Sequence, residues 1–103
     1  MAVNYMMNLK LTNFIGSKVI MVENADGIEE KGVFIPLDMN DLKVTDKGHV
    51  YANAFVSEKK TNTLDDNSHY IKQKASKAHV KMITELGYKM PYLGSLRPSK
   101  YKY

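Results

Sequence analysis

The chain of 103 residues contains no cysteine and no tryptophan, and arginine occurs once, at position 97. Without cysteine it can form no disulfide, offers no thiolate nucleophile and has no thiolate ligand for zinc. No apolar stretch approaches the roughly 20 residues that span a bilayer, so we expect no membrane partner. Residues 1–14 also lack the unbroken apolar segment of a secretory signal, because Asn4, Asn8 and Lys10 interrupt it.

The composition is that of a folded protein. Hydrophobic residues make up 44% of the chain and charged residues 25%, which is typical of globular domains and too apolar for a disordered chain. A chain of this length supports one domain. The sequence predicts a single domain over residues 1–96, followed by a basic arm rich in lysine and tyrosine over residues 97–103.

Short alternating or β-branched runs, separated by turn residues, occupy most of the chain before residue 75. The dipeptide Asp26-Gly27 predicts a hairpin turn, since glycine accepts the positive φ of a tight turn. Pro36 should end the strand before it, because proline has no N–H for a ladder. The predicted strands are 8–12, 18–23, 30–35, 49–57 and 69–73, with a short candidate at 42–44.

One helix is predicted after the last strand. Ser76 can cap its start, Val80, Ile83 and Leu86 recur at helical spacing, and Gly87 can close its end. Strands followed by a helix favour an α+β fold, in which a twisted antiparallel sheet of about five strands carries the C-terminal helix over one face. This order of elements resembles that of the transcriptional-coactivator and Whirly single-strand binders. The resemblance implies a homo-oligomer, since those proteins dimerise through such helices.

Residues that usually carry catalysis are scattered. His49, His69 and His79 fall in three predicted elements, without the close spacing of a helical metal site. Ser68 is not expected to form a nucleophile pair with His69, because adjacent strand side chains point to opposite faces. The carboxylates of segment 38–41 are interpreted as part of a surface turn. We therefore expect no enzyme, no metal and no cofactor.

Charge is unevenly distributed along the chain. Residues 1–66 carry seven lysines and ten acidic residues, a net of −3, whereas residues 67–103 carry seven lysines and Arg97 against Glu85, a net of +7. Five of the seven tyrosines lie in the basic part. Cations interleaved with aromatic rings suit a polyanion whose bases can stack, which favours single-stranded nucleic acid as a partner.

The predicted site combines cations that would contact phosphates with rings that would stack on bases. Tyr51 or Phe55 are further candidates for stacking. An alternative interpretation places Tyr88 and Tyr92 in the core under the helix and leaves the lysines as a solvated surface. The predicted nucleic-acid-binding residues are Tyr70, Lys72, Lys74, Lys77, Lys81, Arg97, Lys100, Tyr101 and Lys102.

Three short motifs together resemble a known group of proteins. They are Lys31-Gly32-Val33-Phe34-Ile35-Pro36, His69-Tyr70-Ile71-Lys72-Gln73 and Met90-Pro91-Tyr92-Leu93-Gly94-Ser95-Leu96-Arg97-Pro98. The pattern is similar to that of small, largely uncharacterised proteins of gut Bacteroidales and their tailed, crAss-like phages. That group implies no activity for particular residues.

A phage context leaves three roles open. The first is an accessory protein that coats single-stranded DNA in the host cytoplasm. The second is a virion structural protein, either an auxiliary capsid component or packaged cargo, whose basic arm contacts neighbouring subunits. The third is an inhibitor of one host protein. The charge pattern favours the first, because a net charge of +7 in residues 67–103 suits a polyanion.

Overall fold

A computed structural model describes residues 4–59 and 67–99. These residues form six β-strands, one α-helix and two single turns of 3-10 helix, at Leu11–Asn13 and Asp38–Asn40. The strands are β1 (Tyr5–Leu9), β2 (Lys18–Glu23), β3 (Glu29–Phe34), β4 (Asn53–Glu58), β5 (His69–Lys74) and β6 (Tyr92–Pro98), and the helix α1 is Lys77–Glu85.

The strands form two separate antiparallel sheets. Four of them lie in the order β1-β6-β5-β4, and β2 pairs with β3 as a hairpin. The α+β class is therefore confirmed, whereas the single sheet of about five strands is wrong, since six strands divide into a sheet of four and a ribbon of two. The two central strands of the larger sheet, β6 and β5, come from the basic part of the chain.

The β2–β3 hairpin turns where the sequence predicts it. Gly27 has a φ of +77°, a left-handed conformation that glycine adopts without steric cost. The Asn24 side-chain oxygen accepts hydrogen bonds from the backbone N–H groups of Asp26 and Ile28, which holds the turn closed. Both strands match their predicted ranges to within one residue, and most of their side chains are exposed.

The structure corrects the prediction of a C-terminal arm. Residues 92–98 form a central strand between β1 and β5, and Arg97 and Pro98 pair with residues of β1. Pro98 is tolerated because its missing N–H falls at the last residue of the strand. The glycine and proline content of this segment reflects a strand with one irregularity, not an irregular chain. Residues 100–103 of the predicted arm lie outside the described part.

The ends of α1 agree with the sequence. The Ser76 hydroxyl accepts a hydrogen bond of 3.2 Å from the backbone N–H of His79 at the helix start. Gly87 has a φ of +90°. Its N–H and that of Tyr88 donate to carbonyls in the last turn of the helix, which is the paired arrangement of a Schellman end.

The core of the described residues is small. Phe14, Ile71 and Leu93 are buried together, with Ile35 packed against them. The side chains that cover β5 and β6 at this cluster therefore follow β1 and β3. Helix α1 contributes Ile83, which is fully buried outside this cluster. The Cα radius of gyration is 16.8 Å, compared with about 13 Å for a compact domain of this length. Much apolar surface stays exposed as a result.

Candidate nucleic-acid interface

The side chains of the four-stranded sheet divide into two contrasting faces. Successive residues of a strand point to opposite sides, and paired residues on neighbouring strands point to the same side. Lys72 pairs with Phe55 on one neighbour and with Tyr92 on the other, so cations and rings share a side. This side is termed the basic face. Its members are Met6, Asn8, Asn53, Phe55, Ser57, Tyr70, Lys72, Lys74, Tyr92, Ser95 and Arg97.

Two lysines of β5 lie over aromatic rings on the basic face. The Lys74 ammonium is 5.5 Å from the centre of the Phe55 ring, and the Lys72 ammonium is 5.6 Å from the centre of the Tyr92 ring. Both distances lie within the roughly 6 Å of a cation–π contact. The rings of Tyr70 and Tyr92 meet edge to face, with centroids 5.6 Å apart. Phe55 and Tyr92 remain 54% and 56% exposed, so a ligand can reach them.

A β-bulge directs Tyr92 to the basic face. Ile71 pairs with Gly94, but the next residue, Lys72, pairs with Tyr92, so Leu93 is the extra residue of β6. With regular alternation Tyr92 would point to the same side as Gly94, away from Lys72. The bulge reverses its direction and places Leu93 in the core instead. The alternative interpretation of Tyr92 as a core residue is therefore wrong.

Arg97 occupies another part of the basic face, where β6 pairs with β1. Its guanidinium nitrogen lies 3.3 Å from the sulfur of Met6. Beside it is a shallow cavity of about 350 Å³, whose lining includes the side chains of Asn8 and Ser95. The polar walls of this cavity suit a phosphate or a sugar better than an apolar group.

The cations of the basic face follow a diagonal across the sheet. Lys74 and Lys72 lie along β5, and Arg97 lies near the far end of β6. Their contacts in the described chain are with rings and a thioether sulfur rather than with carboxylates. Four strands spaced by about 4.8 Å give a width of about 14 Å, which suits the roughly two or three bases that a four-stranded sheet can stack.

The remaining predicted residues lie off this sheet. Lys77 and Lys81 are exposed on α1, one turn apart on the same side of the helix, and no described contact joins them to a ring of the basic face. Lys100, Tyr101 and Lys102 lie outside the described residues. The predicted residues that the sheet brings together are Tyr70, Lys72, Lys74 and Arg97.

The sequence-based site omits Tyr92 and includes Phe55 only as a further candidate. The alternation of residues in β4 shows which of its side chains point to the same side. It does not show whether that side is shared with Lys72 of β5, because this depends on how the two strands are paired. The bulge that turns Tyr92 has no local sequence signal. Tyr51, the other candidate ring, lies before β4 and contacts the ring of His49, with centroids 6.4 Å apart.

A buried asparagine ties β5 to the loop before β4. Asn40 is 1% exposed. Its side chain accepts a 2.8 Å hydrogen bond from the Ile15 N–H and donates to the carbonyls of Ile15 and Pro36. Its main-chain carbonyl accepts from the Gln73 side chain on β5. The interpretation of segment 38–41 as a surface turn is thus incomplete, because this turn is anchored in the interior next to the strand that carries Lys72.

Asp41 connects the same turn to the start of α1. It adopts a left-handed φ of 54°, and its carboxylate accepts a 2.9 Å hydrogen bond from the Ser76 N–H. That hydrogen bond is the main reason why the pKa of Asp41 lies below its ordinary value of 3.8; burial opposes it, and the charges of His79 and Lys43 support it. The connection is therefore stronger when the carboxylate is ionised.

The opposite side of the sheet, termed the apolar face, carries an open groove of about 240 Å³. Met7 and Val56, from the two edge strands, are 50% and 52% exposed along it. Lys10 is the one charged residue in its lining. The groove is lined by Met7, Leu9, Lys10, Leu11, Phe14, Ala52, Ala54, Val56, Ile71 and Leu93.

Ser68 and His69 form a contact that the sequence does not predict. The Ser68 hydroxyl oxygen lies 2.7 Å from Nδ1 of His69. The expectation that these side chains point apart is wrong, because Ser68 precedes β5 and is not subject to its alternation. The same hydroxyl lies 3.4 Å from the Leu96 carbonyl, so it serves as a local link to β6. Among the described residues, no three His, Cys, Asp or Glu side chains converge on a metal position.

Comparison with known proteins identifies no relative of this chain. No family model, no curated protein and no solved structure matches this chain. Across residues 4–59 and 67–99, no helix is long and apolar enough to cross a bilayer. Function is therefore inferred from the residues of the basic face.

Proposed function

We propose that the protein binds single-stranded nucleic acid on the basic face, without a catalytic step. The observation that carries this proposal is the arrangement of exposed rings and cations, with Lys74 over Phe55 and Lys72 over Tyr92. Bases stack on rings, and phosphates bind cations. Antiparallel sheets with exposed aromatic residues recognise single strands in this way.

A single strand would lie along the diagonal of the basic face. Bases stack on Phe55 and Tyr92, while Lys72 and Lys74 turn from the rings to the phosphates. That movement has a small energetic cost, because an exposed cation–π contact contributes only about 0.5–1 kcal/mol. Arg97 and the polar cavity beside it take the next phosphate or sugar. Sequence preference is weak, because every base has a face that can stack.

Fluorescence anisotropy with a labelled oligothymidine tests the site. Tyr92→Ala and Phe55→Ala should each weaken binding by about 1–3 kcal/mol, the contribution of one stacked base. Tyr5→Ala is the matched control, because Tyr5 is 51% exposed on the apolar face of the same sheet. Equal losses in the Tyr92 and Tyr5 variants would show that binding does not occur on the basic face.

The salt dependence of the same titrations reports the phosphate contacts. Each contact on a single strand contributes a slope of about −0.7 in log K against log salt, so Lys74→Gln should reduce the slope by about that amount. Lys31→Gln on the hairpin is the control. Lys77→Gln tests whether α1 extends the site, and a chain ending at Pro98 tests Lys100, Tyr101 and Lys102. No binding by the full chain even at low salt would contradict the proposal.

A virion structural role is the second candidate, and the exposure of the hairpin favours it. Val19 and Ile28 are 61% and 62% exposed, and apolar surface of this kind marks sites of contact with other proteins. This role predicts that the protein is present in purified particles. It also predicts that the Tyr92→Ala variant has the same affinity for oligothymidine as the wild-type protein. Absence from particles, together with that loss, favours nucleic-acid binding.

A further inference from the structure

The described chain contains an apolar groove that no other element fills and an apolar hairpin that no other strand supports. The groove lies on the apolar face and exposes Met7 and Val56. The hairpin exposes Val19, Met21 and Val33 to 61%, 52% and 44%. An isolated two-stranded ribbon is only marginally stable in water, so this hairpin needs a surface to pack on.

The three exposed side chains lie on one side of the hairpin. Val19 pairs with Val33 and Met21 pairs with Lys31, so their side chains point the same way. Ile20 and Gly32, a pair on the other side, are already half-buried. On that other side the exposed Val22 and Phe34 are separated by the half-buried pair. The side formed by Val19, Met21 and Val33 is therefore the more continuous apolar surface, and its apolar part is next to the Lys18 end of β2.

Charge on the two surfaces is complementary. The groove carries Lys10 as its one charged lining residue, whereas the end of the hairpin carries Glu23, Asp26 and Glu29. A nucleic acid is excluded from the groove, because phosphates would lose their hydration against apolar walls. The apolar part of the hairpin fits the walls of the groove. Its acidic end, where Glu23 and Glu29 outnumber Lys31 on the contact side, suits the charge of Lys10.

We propose that two copies of the chain form a dimer in which the β2–β3 hairpin of each copy packs into the apolar groove of the other. Exchange of the same two surfaces in both directions gives a closed, twofold-symmetric assembly. A stable interface uses about 20–30 residues from each partner. The contact side of the hairpin carries six residues and the groove ten, so each copy contributes about 16, close to the lower limit of that range. The proposal does not depend on nucleic-acid binding, because no residue of the basic face takes part.

Sedimentation velocity of the full chain over a range of concentrations gives the first test. The wild-type protein should sediment at about 23 kDa, twice the chain mass of 11.7 kDa. Met21→Glu in the hairpin and Val56→Lys in the groove should each raise the dissociation constant at least about tenfold, because each places a new charge against apolar side chains, which Lys31 opposite Met21 offsets only in part. Leu86→Lys is the control, since Leu86 is 59% exposed on the helix side of the molecule.

A mixture of the two weakened variants gives the decisive test. In a mixed dimer the Met21→Glu hairpin enters the Val56→Lys groove, where the new charges pair, and the other hairpin and groove are unchanged. Mixing should therefore restore the dimer at concentrations where each variant alone is a monomer. Circular dichroism of each variant confirms that it is folded.

Three outcomes would overturn the proposal. A wild-type monomer at about 100 µM excludes the dimer at a concentration where standard interfaces form. If Met21→Glu leaves the dimer intact, Val56→Lys abolishes it and mixing does not restore it, the grooves of the two copies pack against each other and the hairpins take no part. Dimerisation unaffected by either substitution places the contact on another surface.

Discussion

Two single residues next to the predicted site, Gly94 and Asn40, hold the basic face in shape. Gly94 lies in β6 next to the bulge, where the backbone of β1 approaches closely. A Cβ atom at this position would collide with the main-chain carbonyl of Asn8, so any other residue would push β1 and β6 apart. Asn40 acts similarly in the interior, because one buried side chain satisfies the backbone groups of two separate segments.

Gly94→Ala should lower the free energy of unfolding by about 1–3 kcal/mol, the usual cost of overpacking, as measured by urea denaturation. Gly32→Ala is the matched control in β3, since no atom lies within 4 Å of its added Cβ. Its stability should stay the same or rise by about 0.4–1 kcal/mol, because alanine restricts the unfolded chain. Equal stability of the two variants would contradict the close approach of β1 at Gly94.

At the scale of elements, irregular features decide where functional groups lie. The β-bulge in β6 turns Tyr92 towards Lys72 and Leu93 towards the core. The turn at Asp38–Asn40 connects to both β5 and the start of α1 through two neighbouring residues. Lys74, at the end of β5, therefore lies in the chain between Gln73 and Ser76, which both form hydrogen bonds with this turn.

The connection through Asp41 should make stability depend on pH. Because folding lowers the pKa of Asp41 below 3.8, the unfolded chain binds its proton more tightly. The stabilisation from the hydrogen bond of Asp41 is therefore fully present above pH 3.8, and it is lost as the pH falls through the lowered pKa of the folded state. Asp41→Asn should flatten this part of the pH profile of the free energy of unfolding. An NMR titration that places the Asp41 pKa at or above 3.8 would contradict this prediction.

At the scale of the whole molecule, the four-stranded sheet carries different chemistry on its two faces. The paired rings and cations lie on the basic face, whereas the groove on the apolar face is lined mainly by apolar side chains. A sheet that is only partly covered leaves both faces available. The two proposals use opposite faces, so they predict separable effects.

Met21→Glu should weaken the dimer without changing the affinity for an oligothymidine short enough to occupy one copy. The hairpin is not part of the basic face, and at physiological salt charges interact over only about 8 Å. Sedimentation and anisotropy on the same sample check both effects. Loss of short-oligonucleotide affinity in this variant would show that the hairpin takes part in binding.

Much of the local structure could be predicted from the sequence. Lys18–Glu23 is a strand, Asp26-Gly27 turns a hairpin, and Ser76 and Gly87 cap the helix. These features depend on neighbouring residues, because the conformation of glycine and the hydrogen bonds of a cap are local. The prediction of β1 was partly wrong, since it begins at Tyr5 and a 3-10 turn replaces its predicted end.

Residues 92–98 form a strand that local sequence patterns do not predict. The composition predicts a basic arm from Arg97 onward, yet Arg97 and Pro98 belong to a central strand. Strand pairing with β1, more than 80 residues earlier in the chain, supplies hydrogen bonds that local propensity does not report. The same long-range pairing brings Arg97 to the sheet.

The uneven charge, the lack of thiol chemistry, the hairpin and the capped helix follow from the sequence alone, because each depends on residue type or on close neighbours. That Phe55, Lys72, Lys74 and Tyr92 share one face follows only from the folded sheet. That arrangement depends on strand register and on one bulge, and a shift of a single residue sends a side chain to the other side of a sheet. The opposition of a basic face and an apolar face is therefore a property of the folded sheet.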